Sequence, residues 1–181
     1  MRRAILAMAA AVAAAALVWA AFAIADEITC KKGKQCNGTQ FDDSITGSPK
    51  ADGIKAKGGN DETYAGRGND VVDAGDGNDY VEGGPGDDKI NAGEGDDQFL
   101  IGGIFGGPGD DTIEGADGAD DIYGGPGKDV LSGGPGDDQL DATGFGDNNV
   151  KDRLSCGPGM DIAFATSKDK VPSDCEEVIN E

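Results

Sequence analysis

The stretch Gly83-Gly84-Pro85-Gly86-Asp87-Asp88-Lys89-Ile90-Asn91 decides the fold, because the chain on both sides repeats it in register. Numbered one to nine, it has glycine at positions two and four, aspartate at six and a large apolar residue at eight. The position-six aspartate recurs every nine residues at Asp43, Asp52, Asp61, Asp70, Asp79, Asp88 and Asp97. A step of fourteen leads to Asp111, Asp120, Asp129 and Asp138, and a second one to Asp152 and Asp161. Each long step is nine plus a five-residue insertion, expected as outward loops at 101–105 and 142–146. Position eight is apolar at Ile45, Ile54, Val72, Val81, Ile90, Phe99, Ile113, Ile122, Leu131, Leu140 and Leu154. A short fixed period of this kind is the mark of a solenoid, so the repeat is the fold.

Within one repeat, positions one to six read as a turn and seven to nine as a short strand. Glycine at two and four permits positive φ and lets other groups approach the backbone closely. Alternation along the strand sends position eight inward and positions seven and nine outward. The outward positions are mostly polar, as Tyr80, Lys89, Gln98, Asp73, Glu82 and Asn91 illustrate. Two repeats close one coil of eighteen residues, with a turn on each edge. The expected fold is therefore all-β, a parallel β-roll (β-solenoid) of about two repeats per coil. Large apolar residues are too evenly metered for a globular core, but they suit a thin core shared between stacked coils.

The sequence before and after the repeats reads differently. Residues 1–25 carry Arg2 and Arg3, an Ala-rich apolar run and Ala23-Ile24-Ala25, the pattern of a secretory signal peptide. That run is also near the ~20 residues that span a bilayer, so an uncleaved anchor is the alternative. Residues 26–37 are expected to form an N-terminal cap, 38–164 the roll and 165–181 a C-terminal cap. The four cysteines form two close pairs at the ends of the repeats. An even count in a secreted chain reads as disulfides. The expected pairs are Cys30–Cys36 and Cys156–Cys175, each pinning one end of the solenoid.

Charge points to the ligand class. The chain has 35 acidic and 15 basic residues and no histidine. Without residues 1–25 it keeps 13 basic against 35 acidic residues, a net charge of −22. Such a load repels itself in a compact state unless cations neutralise it. It excludes nucleic acid and, once the signal is cleaved, an anionic membrane, since both need a basic surface. Aspartate carboxylates beside glycine carbonyls offer only hard oxygen ligands. Calcium takes six to eight of these. One turn cannot supply them, but two stacked turns can, which predicts rows of several Ca2+ along both edges. A calcium-free solenoid in which aspartate merely caps its bend is the other reading of the same ladder.

The pattern G-G-x-G-x-D-x-U-x, with U large and apolar, resembles the RTX, or haemolysin-type, calcium-binding repeat family. The resemblance implies a right-handed parallel β-roll that folds when calcium binds. It implies calcium ligands at Asp61, Asp70, Asp79, Asp88, Asp97, Asp111, Asp120, Asp129 and Asp138. It implies carbonyl ligands at Gly66, Gly68, Gly75, Gly77, Gly84, Gly86, Gly93 and Gly95, and in the later repeats at Gly107, Gly109, Gly125, Gly127, Gly134 and Gly136. Asp43, Asp52, Asp152 and Asp161 are in register but in degraded turns. The ending, from Asp152-Arg153-Leu154-Ser155-Cys156 to Asp174-Cys175-Glu176, looks like that of small secreted calcium-binding proteins.

An enzyme is not expected. Without histidine there is no triad and no HExxH zinc site, and pairs such as Asp87–Asp88 recur as part of the repeat. The expected function is a secreted, extracellular calcium-binding protein with a structural or interaction role. The alternative is a calcium-stiffened surface adhesion or polysaccharide-binding module, with Tyr64, Tyr80 and Tyr123 at outward positions; the sequence names no protein or polysaccharide partner.

Overall fold

A computed structural model describes residues 26–31, 34–98, 103–144 and 150–180. The segment read as a signal peptide lies outside the described residues, as do Phe99, Ile101, Gly102 and the 145–146 end of the second insertion. In chain order the strands are β1 (Glu27–Thr29), β2 (Gln35–Asn37), β3 (Ser44–Thr46), β4 (Gly53–Gly58), β5 (Glu62–Tyr64), β6 (Val71–Asp76), β7 (Tyr80–Glu82), β8 (Lys89–Glu94), β9 (Gly103–Phe105), β10 (Thr112–Asp117), β11 (Asp121–Tyr123), β12 (Val130–Ser132), β13 (Gln139–Asp141), β14 (Arg153–Ser155), β15 (Ile162–Ala165) and β16 (Glu177–Asn180).

Successive strands alternate between two parallel sheets. Odd-numbered strands from β1 to β15, closed by β16, form a nine-stranded sheet, and β2 to β14 form a seven-stranded one. The alternation is the two-repeat coil predicted by the nine-residue period, and about eight such turns stack into a β-solenoid. Partners lie eighteen residues apart, as in Val72↔Ile90, or twenty-three across a long step, as in Val81↔Ile104.

Each coil contributes one position-eight side chain from each sheet. Ile45, Ile54, Val72, Val81, Ile90, Ile113, Ile122, Leu131 and Leu140 are all buried. Position one supplies a second inward column that the sequence reading missed, through Ala56, Ala65, Ala74, Ala92 and Ala142. Small residues are needed there because the chain is already bending into the turn. A fully buried Ile or Leu is worth about 1.5–3 kcal/mol, so a core one or two side chains wide becomes adequate only by stacking. Thr63 takes position eight in β5, fully buried, and its hydroxyl has no hydrogen-bond partner.

Both insertions depart from their expected bounds. Gly103–Phe105, expected in an outward loop, is strand β9, and Ile104 is fully buried between Val81 and Ile122. The extra residues of that step therefore fall before Gly103, since Gly103-Ile104-Phe105 repeats the outward-inward-outward pattern just ahead of Gly106. Ala142, expected to open the second loop, is buried at position one and donates its N–H to Phe164 O at 2.9 Å.

Both disulfides form as paired from the sequence, Cys30–Cys36 and Cys156–Cys175. The second ties a position-one residue of the roll to the C-terminal segment. The N-terminal cap is itself a coil, since β1 and β2 join the two sheets.

Candidate metal centre

The position-six aspartates form two ladders, one along each edge. The backbone N–H of each donates to Oδ1 of the aspartate one coil further on. Asp61 donates to Asp79 at 2.8 Å, Asp79 to Asp97 at 2.6 Å, Asp97 to Asp120 at 3.1 Å and Asp120 to Asp138 at 3.0 Å. On the other edge Asp70 donates to Asp88 and Asp88 to Asp111, both at 2.7 Å, Asp111 to Asp129 at 2.9 Å and Asp129 to Asp152 at 2.7 Å. The caps finish both ladders with residues outside the nine-residue register: Asp152 donates to Asp169, and Asp161 to Glu176.

One oxygen of each carboxylate from Asp61 onward is thereby used. The other, Oδ2 of Asp61, Asp70, Asp79, Asp88, Asp97, Asp111, Asp120, Asp138 and Asp161, is buried without a hydrogen-bond partner. Asp52, with no aspartate behind it, keeps its Oδ1 buried without a partner. A buried acceptor left bare costs about 1–3 kcal/mol, and more if charged. So many in file call for a cation or for protons. The ladder brings eight of the nine aspartates expected as ligands to this condition, and the ninth, Asp129, to the same place in its row. It adds Asp161, whose turn Cys156-Gly157-Pro158-Gly159-Met160 keeps both key glycines.

The backbone completes the setting. Position-two and position-four glycines adopt positive φ, for example Gly84 (95°) and Gly86 (152°). A Cβ on Gly86 would stand 1.5 Å from Gly68 O, and one on Gly84 2.0 Å from Gly66 O. The glycines therefore let carbonyls of successive turns stack along each edge. The described turn hydrogen bonds use the carbonyls of positions one and three, as in Gly66 N–H to Gly83 O and Gly68 N–H to Pro85 O. The carbonyls of Gly66, Gly68, Gly84 and Gly86 are not among those acceptors. The same positive φ occurs at Lys57 and Ala116, which replace glycine at position two, and at Gly59 and Gly118; a strict glycine pattern overlooks the first two.

Electrostatics agree with the geometry. Burial pushes Asp97 up to about 8, against the Asp79 N–H, with Asp120 and Asp79 adding repulsion. Burial likewise lifts Asp61, Asp111 and Asp138 to about 7 and Asp79, Asp88 and Asp120 to about 6. Asp70 and Asp161 are raised for the same reason. Without a counter-ion the rows hold carboxylates that resist ionising at neutral pH; a cation is what would let them ionise in place.

The donor set fits calcium. It consists of carboxylate and carbonyl oxygens only, and no group of three or more His, Cys, Asp or Glu side chains converges among the described residues. Two turns sharing backbone carbonyls and one carboxylate each is an arrangement for a hard cation with many oxygen ligands.

The first turns differ. Asp43 Oδ2 accepts the Thr39 N–H at 2.6 Å, and Asp52 Oδ2 accepts the Ser48 N–H at 2.6 Å. Thr39 and Ser48 stand at position two without positive φ, so their N–H groups point to their own aspartate. Lys57 Nζ also donates to the Gly38 carbonyl, placing an ammonium at the first turn.

Fold and site thus define a β-solenoid with two edge rows of oxygen ligands for a hard cation. The chain belongs to a known family of that kind. The model described as RTX calcium-binding nonapeptide repeat (4 copies) matches residues 37–72, 64–99 and 105–140, more than half of the chain. A comparison with curated proteins finds no match. The protein is therefore a calcium-binding repeat protein with a β-roll.

Proposed function

We propose that this is an extracellular protein whose roll folds on calcium and then serves a structural or interaction role, without catalysis. The observation that carries this is the file of buried Oδ2 atoms without hydrogen-bond partners. The ligands are Asp61, Asp70, Asp79, Asp88, Asp97, Asp111, Asp120, Asp129, Asp138 and Asp161, with carbonyls of the position-two and position-four glycines between them. Bound calcium supplies the positive charge that the buried carboxylates lack. The chain's part is to stack two turns so that each row is complete only in the coiled state. Binding to the folded state alone makes folding free energy rise with free calcium. Two disulfides support an oxidising compartment. Calcium in such a compartment would drive folding that low cytosolic calcium would not.

Equilibrium dialysis of the disulfide-intact chain, with bound metal read by atomic emission, tests the reading. Several calcium ions per chain, unaffected by excess magnesium, are expected. One ion or none would defeat it.

A further inference from the structure

The two outer faces of the roll differ in chemistry. On the nine-stranded sheet, Tyr64, Tyr80, Phe105 and Tyr123 form one continuous row, with ring centroids 5.5, 5.5 and 4.8 Å apart. Carboxylates flank it: register sets Glu62 beside Tyr80, Glu82 between Tyr64 and Phe105, and Asp141 beside Tyr123. Asp121 stands across from Gln139. No outward position of the described strands of this sheet, β1 to β16, carries Lys or Arg. The seven-stranded sheet carries Lys55, Lys89 and Arg153 at its outward positions, and Lys55 pairs with Asp73 at 3.0 Å.

Rings with a negative face beside Glu62, Glu82 and Asp141, with no Lys or Arg at the outward positions of the described strands of this sheet, complement a positive group that can stack and pair at once. Guanidinium does both. The carboxylates also hold the Tyr64 hydroxyl proton, which donates to Glu62 at 2.5 Å. A groove of about 430 Å³ at the Tyr64 end of the row, between Pro49 and Pro85, is lined by Tyr64 and Glu82 but also by Arg67. A basic partner therefore runs from Tyr64 toward Tyr123 rather than over the turns.

We infer that the outer face of the nine-stranded sheet, from Tyr64 to Tyr123, is a docking surface for an extended arginine-bearing segment of a partner protein. This goes beyond calcium binding but requires the folded roll.

The test is fluorescence anisotropy of a labelled (Gly-Arg)4 peptide with the calcium-loaded chain near physiological salt, where long-range attraction is screened. Far-UV circular dichroism in calcium first shows that each variant folds, so a failure of calcium-driven folding is read apart from a failure of docking. The triple variant Tyr64→Ser, Tyr80→Ser, Tyr123→Ser keeps the net charge and is expected to bind about tenfold more weakly. The pair Glu82→Gln, Asp141→Asn is expected to weaken binding more than the equal charge change Asp73→Asn, Glu114→Gln on the other sheet, which should shift it less than about twofold. If the ring variant does not fold, the two charge pairs decide. Peptide binding that ignores the rings, equal loss from either sheet, no binding, or ring-dependent binding of a neutral oligosaccharide instead of the peptide would each overturn the inference.

Discussion

The first coils and the middle of the roll carry the same aspartate in the same register, yet their turns do opposite things with it. In the turns of Asp43 and Asp52, the position-two N–H returns to the aspartate of its own turn. In the turns of Asp70 and Asp88, the position-two glycine has positive φ and sends its N–H to the next coil, as Gly66 does to Gly83 O and Gly84 to Gly106 O. The aspartate then keeps one buried oxygen without a partner. Position two, and not the aspartate, decides whether Oδ2 is satisfied within its own turn or left bare. Asp52 still keeps its Oδ1 buried without a partner, so of the Asp43 and Asp52 turns only the Asp43 turn is self-sufficient. With the Lys57 ammonium on the Gly38 carbonyl and a disulfide across 30–36, the Asp43 turn is built to hold without metal.

The sharpest way to break this contrast is to put a side chain on one glycine from each region. In Gly86→Ala the new Cβ would lie 1.5 Å from a backbone oxygen at φ 152°. Strain and overpacking together should cost about 3 kcal/mol or more in saturating calcium. In Gly53→Ala the Cβ meets nothing within 4 Å, and the change should stay within about 0.5 kcal/mol. Denaturant melts in saturating calcium compare the two; equal costs would remove the carbonyl columns from the account.

The next largest effect separates two aspartates. Asp97→Asn can still accept the Asp79 N–H but loses the charge of a site, and should lower calcium-loaded stability by about 2–3 kcal/mol. It should also raise the calcium concentration needed for folding. Asp43→Asn, whose second oxygen is already bound to Thr39, should cost about 1 kcal/mol and leave the calcium requirement unchanged. Calcium titrations of both variants decide it.

Much of this was legible in the chain. The period gave the strands and the two-repeat coil, and position eight the core, because side-chain alternation leaves a strand of three residues only one inward place. Three features were hidden. The long step after Asp97 holds several apolar residues, and only the register with Val81 shows that Ile104 is a buried member of the stack. Lys57 and Ala116 adopt the glycine conformation in register with Gly75 and Gly93 of adjoining coils, which their own residue types do not announce. Asp169 and Glu176 finish the ladders from seventeen and fifteen residues away, spacings that no nine-residue pattern contains.

A smaller effect comes from pH. Burial holds Asp61 and Asp111 near 7 and Asp97 near 8 in the metal-free roll, against about 3.9 unfolded. Between those values the folded state binds more protons, so metal-free stability falls as pH rises from about 4 to 8. In chelator, β content should be higher at pH 5 than at pH 8, and calcium should restore it at pH 8. The opposite slope, read by circular dichroism, would contradict the burial of charge.

The smallest effect is in the core. Thr63→Val removes a buried hydroxyl without a partner at almost constant volume, and should stabilise the calcium-loaded roll by about 1 kcal/mol. Thermal melts would check it.

Calcium titration of the chelator-treated, disulfide-intact chain, followed by far-UV circular dichroism, tests the central claim most directly. The account predicts a cooperative gain of β structure with calcium, absent with magnesium, built on a small β signal already present from the first coils. A spectrum fully β in chelator at neutral pH and unmoved by calcium would contradict it.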